Sequence, residues 1–188
     1  MKTPFIILLF SVLTMSISAR TGLESVIENS KSLFIQTSEW KSENIRIQII
    51  EQRGEVILDE TVKTSTGIRK YNLKNLPVGD YTLEVSDDLK ISTRKFEILS
   101  KNVILSGDNE IFYKPIVFWN SKIMDLNLLN LGHSAEVTII DENNNVVLTQ
   151  DFKTPVVHKR YDISLLPRGP YNVNVSSNGR SYQFYYLK

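Results

Sequence analysis

The sequence contains no cysteine, and it holds little of the chemistry that catalytic and metal sites commonly use. Its only histidines are His133 and His158, and neither belongs to a metal-ligand or nucleophile motif. The absence of cysteine excludes disulfides, thiol chemistry and a lipid-modified N-terminal cysteine. The hydrophobic core alone must therefore hold the fold together.

The charge balance excludes another group of functions. The formal net charge of the 188 residues is +1, and no block of five like charges occurs. Proteins that bind nucleic acid or anionic membranes usually carry a strong positive excess. We therefore expect no nucleic-acid partner.

The N-terminus, MKTPFIILLFSVLTMSISA (residues 1–19), is typical of a secretory signal peptide. One lysine precedes an apolar run from Phe5 to Leu13, and small residues follow, so that cleavage is expected after Ser18 or Ala19. A membrane anchor is the alternative, but the run is shorter than the ~20 residues that a spanning helix needs. The pattern predicts export to the periplasm, the cell surface or the extracellular space, with no membrane span in the mature chain.

One phrase occurs twice in the chain. LPVGDYTLEV (76–85) returns as LPRGPYNVNV (166–175), 90 residues later. At that offset, 49–86 aligns with 139–176 without a gap and with 13 of 38 residues identical. The identical residues are mainly apolar or turn residues, which indicates a structural duplication.

Each copy reads as a series of about seven short strands separated by turn residues. In the first copy, Ile45, Ile47 and Ile49 alternate with polar residues, which is typical of a strand with one buried face. The predicted fold is all-β, with two tandem antiparallel Ig-like β-sandwiches after the signal peptide. We predict a first sandwich at 30–99, a linker at 100–110 that contains SGDNE, and a second sandwich at 111–188.

The repeated phrase resembles the corner between consecutive strands of immunoglobulin-like and fibronectin-like sandwiches. In those folds a tyrosine after the corner hydrogen-bonds back to the loop. The resemblance implies a structural role for six residues, namely Pro77, Gly79, Tyr81, Pro167, Gly169 and Tyr171.

A narrower resemblance concerns the second copy. The string L-P-x-G-x-Y-x-V-x-V, followed by Gly179 and a last strand, is similar to the C-terminal sorting domain of type IX secretion cargo in Bacteroidota. That resemblance implies recognition by outer-membrane secretion machinery and, often, removal of the domain. Two departures stand against it: the D-x-x-G-R of the family appears as DENNN (141–145), and the first copy carries the same corner. The chain also resembles short secreted Ig-like modules from the same phylum.

The DENNN stretch has the spacing with which a calcium loop begins, but its continuation differs. Val146 stands where the loop glycine belongs, and Phe152 stands where the bidentate glutamate belongs. A hairpin turn explains the stretch better, since the first copy has EQRG there. We predict no metal, no cofactor and no catalytic residue.

Aromatic residues are the remaining candidates for binding. Strand alternation directs Tyr182, Phe184 and Tyr186 to the core and Tyr185 to the opposite face. We name Tyr185 and Trp40 as candidate partner-binding residues, for a protein or glycan that the sequence does not identify. An exposed last strand can also accept a partner strand.

These observations predict an exported, non-enzymatic binding or structural interaction module. The alternative is a type IX secretion substrate whose second sandwich is the sorting signal. A small hydrolase is a third class, without a recognisable nucleophile and base to support it.

Overall fold

The computed structural model describes residues 24–26 and 30–188. The predicted signal peptide, 1–19, lies outside the described residues. Strands and tight turns make up nearly all of the described chain, every strand pairing is antiparallel, and one short 3₁₀ helix spans Thr64–Thr66. The predicted all-β fold of tandem antiparallel sandwiches is confirmed.

Among the described residues, the first unit has eight strands in two sheets. One sheet has the order β1-β2-β5 and the other has the order β4-β3-β6-β7-β8. The strands are β1 (Glu24–Val26), β2 (Ser32–Gln36), β3 (Asn44–Glu51), β4 (Val56–Lys63), β5 (Ile68–Asn72), β6 (Gly79–Ser86), β7 (Lys90–Ile98) and β8 (Val103–Tyr113).

The second unit repeats this arrangement with seven strands. Its sheets have the orders β9-β10-β13 and β12-β11-β14-β15. The strands are β9 (Ile116–Trp119), β10 (Ile123–Leu129), β11 (Ala135–Asp141), β12 (Val146–Phe152), β13 (Val156–Asp162), β14 (Pro170–Ser177) and β15 (Arg180–Leu187). The three-strand sheet and the first four strands of the larger sheet follow the same order in both units.

Alternation along the strands builds a separate core in each unit. In β3, Ile45, Ile47 and Ile49 are at most 1% exposed, while Arg46 between them faces solvent. Burying one such side chain stabilises the fold by about 1.5–3 kcal/mol. Leu83 and Phe96 complete the same layer of the first unit.

The second core has its own members and is built in the same way. Leu126, Val137, Val173 and Val175 are at most 1% exposed, and the ring centre of Tyr186 lies 5.3 Å from that of Trp119. Tyr182 and Phe184 are half-buried on the same side of β15 as Tyr186. Phe184 and Tyr186 of the predicted aromatic face therefore pack in the sandwich, and Tyr182 lies close to Arg180 and Glu84.

Most of the predicted linker, 100–110, is strand and not loop. Residues 103–113 form β8, which pairs along β7 and adds a fifth strand to the sheet. The SGDN sequence forms a β-bulge, in which residues 107–109 stand opposite Arg94 alone. Gly107 has φ +70°, a conformation that glycine adopts without strain. The polar composition that indicated a linker thus belongs to an irregular edge strand.

Candidate functional site

The two units meet where the turn between β14 and β15 stands over the outer face of the five-stranded sheet. A groove of about 890 Å³ lies at this junction. Strands β6, β7 and β8 line one side of it, and Asn178, Gly179 and Arg180 line the other. On β6, Thr82 and Glu84 alternate with core residues, so they project from the outer face into this space.

A two-residue turn presents the second unit's side of the groove. Ser177 pairs with Arg180, and the intervening Asn178 and Gly179 have φ +55° and +69°. Two consecutive positive φ values are typical of a type I′ turn, for which Asn-Gly is the preferred pair. The turn therefore follows directly from the local sequence, and it directs Arg180 towards the first unit.

Arg180 connects the two units. Its Nη2 donates to Glu84 Oε2 over 2.7 Å, and its guanidinium carbon lies 4.7 Å from the centre of the Phe112 ring. The side chains of Arg180 and Glu84 are only 27% and 13% exposed. A charge-assisted hydrogen bond in this setting is stronger than one on an open surface. The junction thus combines an ion pair with a cation–π contact.

The groove is acidic. Five carboxylates line it, against Lys95 and Arg180 as the two cations, and Arg180 is already bonded to one of the five. The carboxylates are Glu51, Asp80, Glu84, Asp108 and Glu110. Burial raises the pKa of the Tyr182 phenol, which also interacts with the charges of Arg180 and Glu84. The arrangement favours a ligand that is positively charged or rich in hydrogen-bond donors.

The two candidate partner-binding aromatics lie in different environments. Tyr185 is 63% exposed on the outer face of β15, in the second unit. Trp40 is 6% exposed and belongs to the core of the first unit, with Lys90 Nζ 4.7 Å from its ring centre. The expected exposure of Trp40 is therefore wrong, because the loop before β3 folds inward and buries the indole. The structure does not bring the two residues into one surface.

The six corner residues form two equivalent turns. The hydroxyl of Tyr81 donates to the carbonyl of Pro77, and that of Tyr171 donates to the carbonyl of Pro167, each over 3.0 Å. Gly79 begins β6 and Gly169 immediately precedes β14. Both tyrosines are at least 95% buried, and burial raises the pKa of each. These residues are tyrosine corners, so their role lies in the fold.

The polar stretch DENNN is a hairpin turn closed by its own aspartate. Asp141 accepts hydrogen bonds from the backbone N–H groups of Asn143 and Asn145 at 2.9 and 2.8 Å, and from the Asn145 side chain at 3.0 Å. These bonds hold the pKa of Asp141 below its usual value. Across the part of the chain that the structure describes, no cluster of three or more metal-ligating side chains occurs.

The two histidines lie apart. His158 is exposed on β13, where its Nδ1 lies 2.5 Å from Asn127 Oδ1 on the neighbouring strand. His133 is exposed in the turn before β11, and its backbone N–H donates to the Asn130 carbonyl. Within the described ranges, no helix is long and apolar enough to cross a membrane.

Sequence reasoning did not identify the residues of the junction. Glu84 and Glu110 read as ordinary outward-facing residues of strands, and Arg180 reads as part of a surface turn. The sequence feature that could have identified Arg180 is its position directly after the Asn-Gly turn. A long cationic side chain at that position extends beyond the end of the sheet. Its contact with Glu84 joins residues 96 positions apart, which no local pattern reveals.

A family model matches part of the chain. Residues 29–99 match the secretion system C-terminal sorting domain, so the match covers β2 to β7 of the first unit. Sequence analysis placed this resemblance in the second unit, through the corner motif that both units share. No curated protein matches the chain closely enough to count as a relative.

The solved structures that match the chain are distant in sequence and have low TM-scores. A biofilm-associated protein, described by its BSP domain, is 15% identical over 89% of this chain, with a TM-score of 0.29, and this chain spans only 29% of its length. A two-domain fibronectin type III segment of chicken tenascin is 9% identical over 88% of this chain and 97% of its own, with a TM-score of 0.32. The receptor tyrosine kinase Torso is 11% identical over 90% of this chain and 76% of its own, with a TM-score of 0.26.

Proposed function

We propose that this protein is an exported, non-catalytic interaction module that binds its ligand in the groove between the two sandwiches. The observation that carries the proposal is the junction at Arg180. One unit supplies a sheet face and the other supplies a turn, and an ion pair of low exposure fixes them in place. Because both units line the groove, the tandem arrangement provides a binding site that neither sandwich provides alone.

The lining of the groove supports a cationic ligand. After Arg180 is paired with Glu84, Asp108 and Glu110 on β8 and Asp80 beside the corner outnumber the remaining cation, Lys95. β8 is also an irregular edge strand, whose bulge at 107–109 includes Asp108. We therefore expect the ligand to be a lysine- or arginine-bearing protein segment.

A titration followed by NMR tests the groove. Decalysine serves as the cationic probe and maltohexaose as the neutral one, each added to the purified protein at low salt. Decalysine should shift the backbone amides of β6 and β8 around Glu84 and Glu110, and maltohexaose should not. Added salt should weaken the binding, because the attraction is between charges at an accessible surface.

Matched variants distinguish the groove from general charge attraction. Asp108→Asn with Glu110→Gln removes two carboxylates from the lining. Glu136→Gln with Asp151→Asn removes two exposed carboxylates from the second unit, outside the groove. The first pair should weaken decalysine binding about tenfold, which corresponds to about 1.4 kcal/mol. The second pair should leave the binding unchanged. Equal weakening by both pairs would count against the groove.

A second candidate function is a secretion address, and the match of residues 29–99 to a sorting domain favours it. In its original form this hypothesis assigns the signal to the second sandwich, 111–188, for recognition by outer-membrane machinery. The intact mass of the protein from each fraction of its native host separates the two functions. A mature chain that lacks one sandwich, either 111–188 or the matched 29–99, would support the address, and a chain that keeps both units would support the binding module.

A further inference from the structure

Strand β15 leaves one edge of the second unit open. It is the last strand of the four-stranded sheet, and among residues 24–26 and 30–188 no strand pairs with its outer side. The corresponding edge of the first unit is covered. Tyr171 pairs with Tyr186 in β15 as Tyr81 pairs with Phe96 in β7, so β7 and β15 occupy the same place, and β8 covers β7.

The backbone of β15 shows which groups the open edge presents. Lys188 and Gly169 exchange both backbone hydrogen bonds, over 3.0 and 3.3 Å. Bonded and non-bonded pairs alternate along an antiparallel ladder. Since Lys188 belongs to a bonded pair, the residues of the non-bonded pairs direct their N–H and C=O groups away from β14, towards the open edge. These residues are Leu187, Tyr185, Gln183 and Ser181.

The first unit shows what such an edge accepts. The positions that align with Tyr185 and Leu187 are Lys95 and Glu97. They pair with Ser106 and Ile104 of β8, and the adjoining turn is closed by a bond from Leu99 N to the Asn102 carbonyl. In the first unit the same backbone groups are therefore satisfied by an antiparallel strand.

The open edge also lacks the features with which proteins protect exposed edges. Edge strands are commonly guarded by charges, prolines or bulges. Between Arg180 and Lys188, β15 has no charged residue and no proline, and its pairing with β14 has no irregularity. Each of the other edges of the two large sheets has an irregular register and at least one carboxylate, namely Asp59 and Glu60 on β4, Asp108 and Glu110 on β8, and Asp151 on β12.

Two large side chains at this edge, Tyr185 and Leu187, are accessible. Tyr185 is 63% exposed and Leu187 is 67% exposed, and both lie on the outer face of the sheet. Because the strand between its terminal residues is uncharged, a second identical strand can approach it without like-charge repulsion. If two β15 strands pair antiparallel about a two-fold axis, Tyr185 and Leu187 of each copy contact β15 of the other copy.

We propose that β15 pairs antiparallel with β15 of a second copy of this chain, joining two four-stranded sheets into one continuous sheet. The pairing satisfies the backbone groups of 181, 183, 185 and 187, and it covers Tyr185 and Leu187. The inference does not depend on the groove, which lies at the turn end of the hairpin around Arg180, whereas Tyr185 and Leu187 lie towards the other end of β15.

Two measurements on the purified protein test the pairing. Sedimentation equilibrium over a range of concentrations should show a monomer–dimer equilibrium. Amide hydrogen exchange by NMR should then show protection of 181, 183, 185 and 187 that increases with concentration. The amides of 182, 184 and 186 bond to β14 and should be protected at every concentration. A protein that stays monomeric, or a dimer that leaves the four edge amides in fast exchange, would overturn the proposal.

Variants locate the contact. Tyr185→Lys brings two like charges together across the axis and should raise the dimer dissociation constant about tenfold or more. Gln183→Pro removes one N–H from the open edge while leaving the ladder with β14 intact, and it should have a similar effect. Val147→Lys places the same charge on β12, at the other edge of the sheet, and should leave the dimer unchanged. A dimer weakened by Val147→Lys and not by the other two would place the contact at β12 and contradict the proposal.

Discussion

At the residue scale, the hydroxyls of Tyr81 and Tyr171 make the same bond in two different cores. Each donates to a proline carbonyl four residues earlier, at 3.0 Å, from a ring that is at least 95% buried, while the proline lies in an exposed loop. Without the hydroxyl the loop loses its bond to the buried ring, and such a bond contributes about 1 kcal/mol to stability. The corner therefore fixes the loop that leads into the central strand of each unit.

Removing either hydroxyl should destabilise its own unit. Tyr81→Phe and Tyr171→Phe each keep the ring and remove the donor, and each should lower the free energy of unfolding by about 1 kcal/mol. Urea denaturation measures the change. Tyr185→Phe, which removes a hydroxyl from an exposed ring, is the matched control and should have an effect below about 0.5 kcal/mol. Equal effects of all three substitutions would show that the corner bonds do not contribute.

Asp141 should make stability depend on pH in the acid range. The Asn145 side chain, followed by the backbone N–H groups of Asn145 and Asn143, lowers the pKa of Asp141 in the folded state. A carboxyl whose pKa is lower in the folded state stabilises the fold above its unfolded pKa, about 3.9. That contribution is lost as the pH falls through the lower, folded pKa.

Asp141→Asn should therefore reduce stability at pH 7, and the difference from the natural protein should shrink below about pH 4. Urea midpoints measured from pH 7 to pH 2.5 check this. Asp151→Asn, on the following strand and outside the turn, serves as the control. A difference that grows on acidification would contradict the assignment.

At the element scale, β8 is the strand that distinguishes the first unit from the second. It covers β7 over most of its length and contributes Val103 and Leu105 to the first core. Its bulge then redirects the chain, so that Phe112 meets Arg180 of the second unit. One strand thus completes a sheet, supplies two carboxylates to the groove and leads directly into the next sandwich.

The bulge requires glycine at 107. A Cβ added to Gly107 would meet no atom within 4 Å, so any cost of Gly107→Ala comes from the backbone at φ +70° and not from a clash. That cost is about 1 kcal/mol for an L-residue. Urea denaturation should show it, and Ser106→Ala at the neighbouring exposed position should be nearly neutral. A neutral Gly107→Ala would mean that 103–113 is a flexible linker after all.

At the scale of the whole molecule, the junction determines whether two sandwiches act as one body. Arg180 and Glu84 connect units whose cores are separate, and the pair is mostly shielded from solvent. Shielding strengthens the attraction, and it also raises the cost of leaving either charge unpaired.

A double-mutant cycle of Arg180→Ala and Glu84→Ala should give a coupling of about 1–2 kcal/mol. Each single variant should also separate the unfolding of the two units into distinct transitions, which calorimetry would resolve. Arg46→Ala and Asp59→Ala, an exposed pair within the first unit, provide the comparison and should leave the number of transitions unchanged. Identical thermograms for all variants would show that the Arg180 pair does not connect the units.

The repeated corner and the alternation of strands are properties that the sequence by itself determined. Period-two alternation at Ile45, Ile47 and Ile49 and the Asn-Gly turn at 178–179 depend on residues close together in the chain, and local geometry allows few alternatives. The inward face of Tyr182, Phe184 and Tyr186 follows from the same rule. The fold class and the two units could therefore be predicted from pattern alone.

Only the tertiary structure decided which of these residues meet. The burial of Trp40, the pairing of 103–113 with β7, and the contact of Arg180 with Glu84 all join segments that the sequence does not mark as neighbours. The physical reason is that composition does not distinguish an exposed polar strand from a polar linker. In the same way, the residue type does not show whether a tryptophan is buried or exposed. Their environment is set by long-range packing, which decides where the junction groove and the open edge of β15 lie.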